Sequence, residues 1–156
     1  MAKQKKIPAP LDILPHRPPM LYLDRVTKVI PDKRIEGFWE PGKEQFEGHF
    51  GVGRLVLPGV KTVEHLAQAA SFGVLLERPG MYPLFSGIEG TRFIKPVFPG
   101  DMITSDVDIL SVDDRGKVLA QGVAYAGEGM VCSTRLSFKL VTEDRFLNIV
   151  NPASSE

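Results

Sequence analysis

The sequence predicts an α+β domain in which an antiparallel sheet wraps one central helix. The run from Pro58-Gly59 to about Glu77 is apolar around most of a helical cylinder, and a helix of that kind belongs in the interior. Two strand-like segments precede it. Four follow it, separated by short turn signals that favour hairpin connections over crossovers.

In chain order, "MLYLDRVTKVI" (20–30) reads as a strand, and "PDK" turns it into a second strand, "RIEGFWE" (34–40). A long glycine-bearing loop occupies 40–57. In the helix, Val60, Val63, Ala67, Ala70 and Val74 recur at three- and four-residue steps and mark one apolar face, and "RPG" stops it. The later strands are "LFSGIEGTRFIKPVF" (84–98), "MITSDVDILSV" (102–112), "KVLAQGVAYAG" (117–127) and "MVCSTRLSFKLV" (130–141). The last alternates most clearly, with Leu136, Phe138 and Leu140 against Arg135, Ser137 and Lys139. Residues 1–10 read as a flexible basic tail, 11–145 as one domain and 146–156 as a C-terminal tail.

Composition narrows the function. With 19 Lys+Arg against 19 Asp+Glu, nothing recommends nucleic acid or an anionic membrane as partner. One cysteine, Cys132, excludes an internal disulfide and reads as a small core residue; three histidines with one thiol make a poor zinc set. No apolar stretch approaches a membrane span, and "MAKQKKIPAP" leads into no signal core, so a cytoplasmic location is expected.

The chemistry concentrates in "FEGHFGVGRLVLPGVKTVEHLAQAA" (46–70). Glu64 sits in the most hydrophobic helix, with Gln68 one turn further on the same face. A buried carboxyl keeps its proton, finds donors or faces a cavity, and each case tunes it for proton transfer. His49 stands among Gly48, Gly51 and Gly53, which let a substrate approach the backbone. These glycines match neither a dinucleotide fingerprint nor a phosphate loop. The free N–H groups of Gly59 and Val60 lie at the positive end of the helix dipole, where an oxygen gaining charge is stabilised. A base, an acid and an oxyanion donor suit β-elimination of water from a 3-hydroxyacyl compound.

These residues resemble the 3-hydroxyacyl-[acyl-carrier-protein] dehydratases of fatty acid synthesis, which have the hotdog fold. The resemblance rests on "ILPHRPPMLYLDRV" (13–26), "FEGHF" (46–50), "LPGVKTVEHLAQAA" (57–70) and "GIEGTRFIKPVFPGD" (87–101), in the family's order. It implies His49 as catalytic histidine, Glu64 as catalytic acid and Gly59 as backbone donor to the thioester carbonyl. It further implies that histidine and acid come from different subunits of a homodimer, often arranged as a homohexamer, and that the substrate is an acyl carrier protein or coenzyme A thioester. Neither metal nor other cofactor is expected. The chain departs from the pattern at "GHFGVGRLVLPG": two prolines are missing, the spacing 64 − 49 = 15 is one residue longer, and Lys61 replaces an apolar residue.

The expected reaction is dehydration of (3R)-3-hydroxyacyl thioesters to trans-2-enoyl thioesters. His49 is assigned as base because a neutral imidazole is available near pH 7, and Glu64 as acid because burial raises its pKa. Phe50, Gln68, Phe93 and Phe98 are the candidates for an acyl tunnel. A hotdog thioesterase and a non-catalytic acyl-binding subunit are the competing readings. His16 and Arg17 are expected to hold the start of the first strand, His65 to lie at a surface or interface, and Arg78, Arg92 and Lys95 to be solvated, with an acidic carrier protein as the alternative role for these three.

Overall fold

A computed structural model describes residues 5–153. Six strands form one fully antiparallel sheet: β1 (Arg25–Ile30), β2 (Arg34–Trp39), β3 (Tyr82–Phe93), β4 (Ile103–Val112), β5 (Lys117–Ala126) and β6 (Gly129–Val141). Their spatial order is β1-β2-β4-β5-β6-β3, so β1 and β3 are the edges. The sheet curls around α2 (Gly59–Leu75), which packs against β1, β2, β4, β5 and β6. This is the antiparallel sheet around one central helix that the sequence predicts.

Alternation produces the inner face. Leu136, Phe138 and Leu140 on β6 are buried, as are Val118, Ala120 and Ala124 on β5 and Ile103 and Val107 on β4. From Thr62 to Leu75 every helical residue except Glu64 is buried. Glycines let this helix and sheet pack closely. A Cβ on Gly73 would collide with the Ile35 side chain, and one on Gly122 would press Leu66 at 3.1 Å. Val60, counted from periodicity on the apolar face, is 70% exposed, because the first turn of α2 projects beyond the sheet.

Three boundaries differ from the sequence reading. Residues 20–23 make no strand, since α2 side chains take their backbone groups. The Tyr22 amide donates to Gln68 Oε1 (2.7 Å), and Gln68 Nε2 donates to the Met20 carbonyl (2.8 Å). β3 ends at Phe93, before Pro96, which has no amide to offer a ladder. Across the boundary drawn at 145/146 between the domain and the C-terminal tail, Glu143–Val150 form the helix α3. Thr142 caps it by accepting from the Arg145 amide (3.3 Å), and Phe146 stacks on Tyr82 at 4.3 Å. A four-residue helix, α1, occupies Pro10–Ile13; residues 1–4 and 154–156 of the two expected tails lie outside the described residues. Among the described residues no helix is long and apolar enough to cross a membrane.

β3 is an unusual edge. It is twelve residues long and carries Phe85, Ile88 and Phe93 at 45%, 52% and 56% exposure. An edge that long and apolar is a template for pairing with another chain unless something covers it.

Candidate active site

The His49 loop leaves β2 through a single 3-10 turn, Lys43–Phe46, which Phe46 anchors by complete burial. Gly48 then adopts φ +78°, and Phe50 φ +56°, an uncommon value for a bulky side chain. The two aromatic rings of His49 and Phe50 stack with centroids 3.9 Å apart. His49 Nδ1 lies 2.7 Å from the Val56 carbonyl. A carbonyl only accepts, so in the neutral ring Nδ1 carries the hydrogen and Nε2 keeps the lone pair. The amide of Leu57 closes the loop on the Val97 carbonyl (2.9 Å).

The start of α2 stands beside this imidazole. Pro58 is the N-cap and no side chain caps the helix, so the first amides have neither an intrahelical carbonyl nor a side-chain acceptor. Gly59 is required here: a Cβ would lie 2.8 Å from the Phe93 ring. His49, Phe50, Gly59, Val60, Phe93 and Lys95 contribute to the walls of a cavity of about 490 Å³.

Glu64 faces a different cavity, about 390 Å³, together with Phe85, Ile88 and Thr91; Val60 and Phe93 line both spaces. Among the described residues the structure records no hydrogen bond or ion pair between His49 and Glu64. The carboxyl is held instead by Gln68, whose Nε2 donates to Oε1 at 2.9 Å while its own Oε1 is taken by the Tyr22 amide. Burial pushes the Glu64 pKa up, and the Gln68 hydrogen bond opposes that shift only in part.

The other sequence-predicted residues divide. Phe50 and Phe93 line the first cavity. Phe98 lines neither cavity and lies under the Arg54 guanidinium, 3.6 Å from the ring centroid. Gln68 is fully buried and acts on Glu64. His65 is not a surface group. It is wholly buried, its Nδ1 donates to the Tyr22 carbonyl (2.6 Å), and it stacks on Trp39. The segment 20–23 that crosses the helix seals it in. Nor does His16 hold the first strand; its Nε2 sits 3.5 Å from Glu64 Oε1. Burial and then Arg17 lower the His16 pKa, so near pH 7 this contact joins a neutral ring to the carboxyl and is no full ion pair. Arg78 is engaged with Asp32 through two hydrogen bonds of 2.7 and 3.0 Å, whereas Arg92 is exposed. Cys132 is buried, and its thiol is pushed up to about 11, which suits an inert core residue.

Sequence reasoning missed the Glu64–His16 contact and a bridge from Lys61 to Gln45. No spacing rule connects position 16 to position 64, because tertiary packing of Leu14, Tyr22 and Leu23 across α2 brings them together.

An antiparallel sheet curled around one central helix defines a hotdog-fold domain. The family model for the FabA-like domain matches residues 14–135, and the chain belongs to that family. It is 36% identical over 135 residues to the 3-hydroxyacyl-[acyl-carrier-protein] dehydratase FabZ of Symbiobacterium thermophilum, across 84% of this chain and 94% of that protein. With the enzyme of the same name from Bacillus subtilis it shares 39% over 134 residues, across 83% and 93%. Among solved structures, the dehydratase heterocomplex ApeI:P from Xenorhabdus doucetiae superposes with a TM-score of 0.78 at 18% identity, covering 94% of this chain and 99% of that one. At that identity the likeness concerns the fold.

Proposed function

We propose that this 3-hydroxyacyl-acyl-carrier-protein dehydratase of fatty acid biosynthesis, a hydro-lyase, works through His49 of one chain and Glu64 of another. The observation that carries the reading is the imidazole whose Nδ1–H is committed to the Val56 carbonyl beside the uncapped start of α2. Its Nε2 is then a base without any further tautomer change.

In the reaction the Gly59 amide, with that of Val60, polarises the thioester carbonyl. His49 Nε2 removes a proton from C2. The electron pair of that C–H bond forms the C2=C3 double bond as the C3–O bond breaks, and Glu64 supplies the proton that lets the hydroxyl depart as water. Burial raises the Glu64 pKa and so keeps a fraction of it protonated for this step.

The division between chains is supported by the separate cavities of His49 and Glu64 and by the exposed apolar edge of β3 between them. Pairing of two β3 edges would cover Phe85, Ile88 and Phe93 and bring a second chain to each site, so a homodimer is the smallest active unit. A trimer of such dimers is compatible with this arrangement. Phe50 and Phe93 form the tunnel mouth, and the acyl chain is delivered on acyl carrier protein, with the exposed Lys95 on the wall of the same cavity.

The test mixes two inactive variants. His49→Ala and Glu64→Gln are each expected to lower turnover of a 3-hydroxybutyryl thioester by about 10²- to 10⁴-fold, followed by enoyl absorbance. After subunit exchange, heterodimers with one intact site should recover part of the activity. If exchange is demonstrated by mass spectrometry and no activity returns, the two-chain site is wrong. Release of free thiol from the same substrate in place of the enoyl product would point to a thioesterase.

A further inference from the structure

Lysine at position 61 is in an unfavourable place. It occupies the first turn of α2, where the helix dipole is positive and repels a cation, and it is half-buried, where an ammonium group without partners is costly. The structure shows what holds it. Lys61 Nζ donates to the backbone carbonyl of Gln45 at 2.8 Å and to Gln45 Oε1 at 3.0 Å, and it lies 6.0 Å from the centre of the Tyr22 ring. Gln45 is itself 6% exposed and donates its side-chain amide to the Pro19 carbonyl (2.9 Å). The lysine therefore ties the first turn of α2 to the 3-10 turn 43–46, three to six residues before His49.

The intervening loop has few other contacts to hold it. Gly48, Gly51 and Gly53 have no atom within 4 Å of where a Cβ would stand, and residues 51–54 are exposed. The loop is fixed near its ends, by His49 and Leu57 on the Val56 and Val97 carbonyls and by the turn in which the His49 amide faces the Phe46 carbonyl (3.4 Å), and between them by the Arg54 guanidinium over the Phe98 ring. We propose that Lys61 is a positioning residue, a clamp that sets the distance between His49 and the Gly59 amide. This rests on the reading of His49 as the base. The clamp acts on the orientation of groups that meet the substrate, so it affects the chemical step more than substrate binding. A displacement of about 1 Å is enough to cost on the order of 10²-fold.

The experiment compares Lys61→Met, Lys61→Arg, Gln45→Ala and the double variant Lys61→Met/Gln45→Ala, with His49→Ala as reference. Methionine keeps the stem over Tyr22 and removes the ammonium. Lys61→Met should lower kcat roughly ten-fold or more with KM changed by less than about three-fold. Lys61→Arg, which can reach the same two acceptors, should recover most of the loss. The double variant should lose no more than the worse single variant, because both changes open one clamp. Wild-type kcat in Lys61→Met, or losses that multiply in the double variant, would overturn the clamp. A drop in activity that merely follows the folded fraction measured by near-UV circular dichroism would overturn it equally. His49→Ala separates this from the underlying reading: if that variant keeps its turnover, the catalytic assignment fails, whereas an inactive His49→Ala beside a fully active Lys61→Met removes only the clamp.

Discussion

His49 and His65 are built in the same way and put to opposite uses. Each donates Nδ1–H to a backbone carbonyl, Val56 at 2.7 Å and Tyr22 at 2.6 Å, and each stacks on an aromatic ring, Phe50 at 3.9 Å and Trp39 at 5.7 Å. Both rings therefore present Nε2 as the unprotonated nitrogen. They differ in what that nitrogen meets. His65 Nε2 is sealed in the core with no partner, beneath the segment that crosses α2, while the His49 ring lines a cavity of about 490 Å³ beside free helix amides. Hydrogen bonding fixes the tautomer in both; access alone makes one of them a candidate base. The contrast extends along α2, whose first turn is uncapped and open and whose later turns are buried against the sheet.

The strongest way to break this comparison is to exchange its terms by mutation. His49→Ala should lower turnover by about 10²- to 10⁴-fold and leave the melting temperature nearly unchanged, since the ring is only half-buried on a glycine loop. His65→Gln can still offer an N–H to the Tyr22 carbonyl. It should lose stability by about 1–3 kcal/mol through imperfect packing and hydrogen bonding, with turnover per folded molecule close to wild type. Kinetics and urea unfolding on both variants check this. Loss of turnover in His65→Gln at full folding would mean that the sealed ring serves the reaction, and the distinction by access would fall.

Acid stability sharpens the same point. Burial lowers the His65 pKa to about 4 from 6.5, outweighing its hydrogen bond to Tyr22. Between those values the unfolded chain binds a proton that the folded chain refuses, so this residue's contribution is complete above pH 6.5 and is lost as pH falls towards 4. The size is on the order of 3 kcal/mol. Glu64 works in the opposite sense: its folded pKa is raised, so its contribution is complete below 4.5 and declines as pH rises through the folded value. Urea unfolding from pH 7 to pH 4 should show a steep fall in the wild type and a shallower one in His65→Gln. Parallel curves would show that the buried imidazole does not set acid lability.

The residues that the sequence placed well are those governed by local period or local chemistry. The alternation of Leu136, Phe138 and Leu140 and the three- to four-residue rhythm of Val63, Ala67, Ala70 and Val74 were enough for the sheet and the helix, because side-chain direction repeats every 2 or 3.6 residues. "GHF" and the glutamate in the helix point to a candidate base and acid by their chemistry, and the structure puts the two at separate cavities. What could not be read was set by contacts between distant segments. His65 and Glu64 are neighbours in sequence, and only the crossing of residues 20–23 over α2 decides that one is sealed and the other half-open. The exposure of Val60 depends on where the sheet ends, and the partners of Lys61 and His16 on the path of two loops. α3 was missed although Phe146, Ile149 and Val150 recur at helical steps, because those eight residues were read together with the polar chain end; its apolar side stays largely exposed, and the stacking of Phe146 on Tyr82 marks its place.

The smallest expected effect concerns the end of α2 opposite the open site. The last carbonyls of a helix lack intrahelical donors, and here they are satisfied. The Asp32 amide donates to the Gly73 carbonyl (3.2 Å), and Arg78 donates to the Val74 carbonyl (3.0 Å) while gripping the Asp32 carboxylate with both nitrogens. A cation at this end also complements the dipole. Yet the pair is about one-third exposed, 31% and 34% for the two side chains, so water and salt screen most of its attraction. Arg78→Met should therefore cost only about 0.5–1 kcal/mol by urea unfolding, with the cost shrinking in high salt and turnover unaffected. A loss of several kcal/mol would mean that the helix depends on this cap more than on its buried face. Reduced turnover in the folded variant would show that the capped end transmits to the uncapped one, and α2 could no longer be described as having one end for stability and one for chemistry.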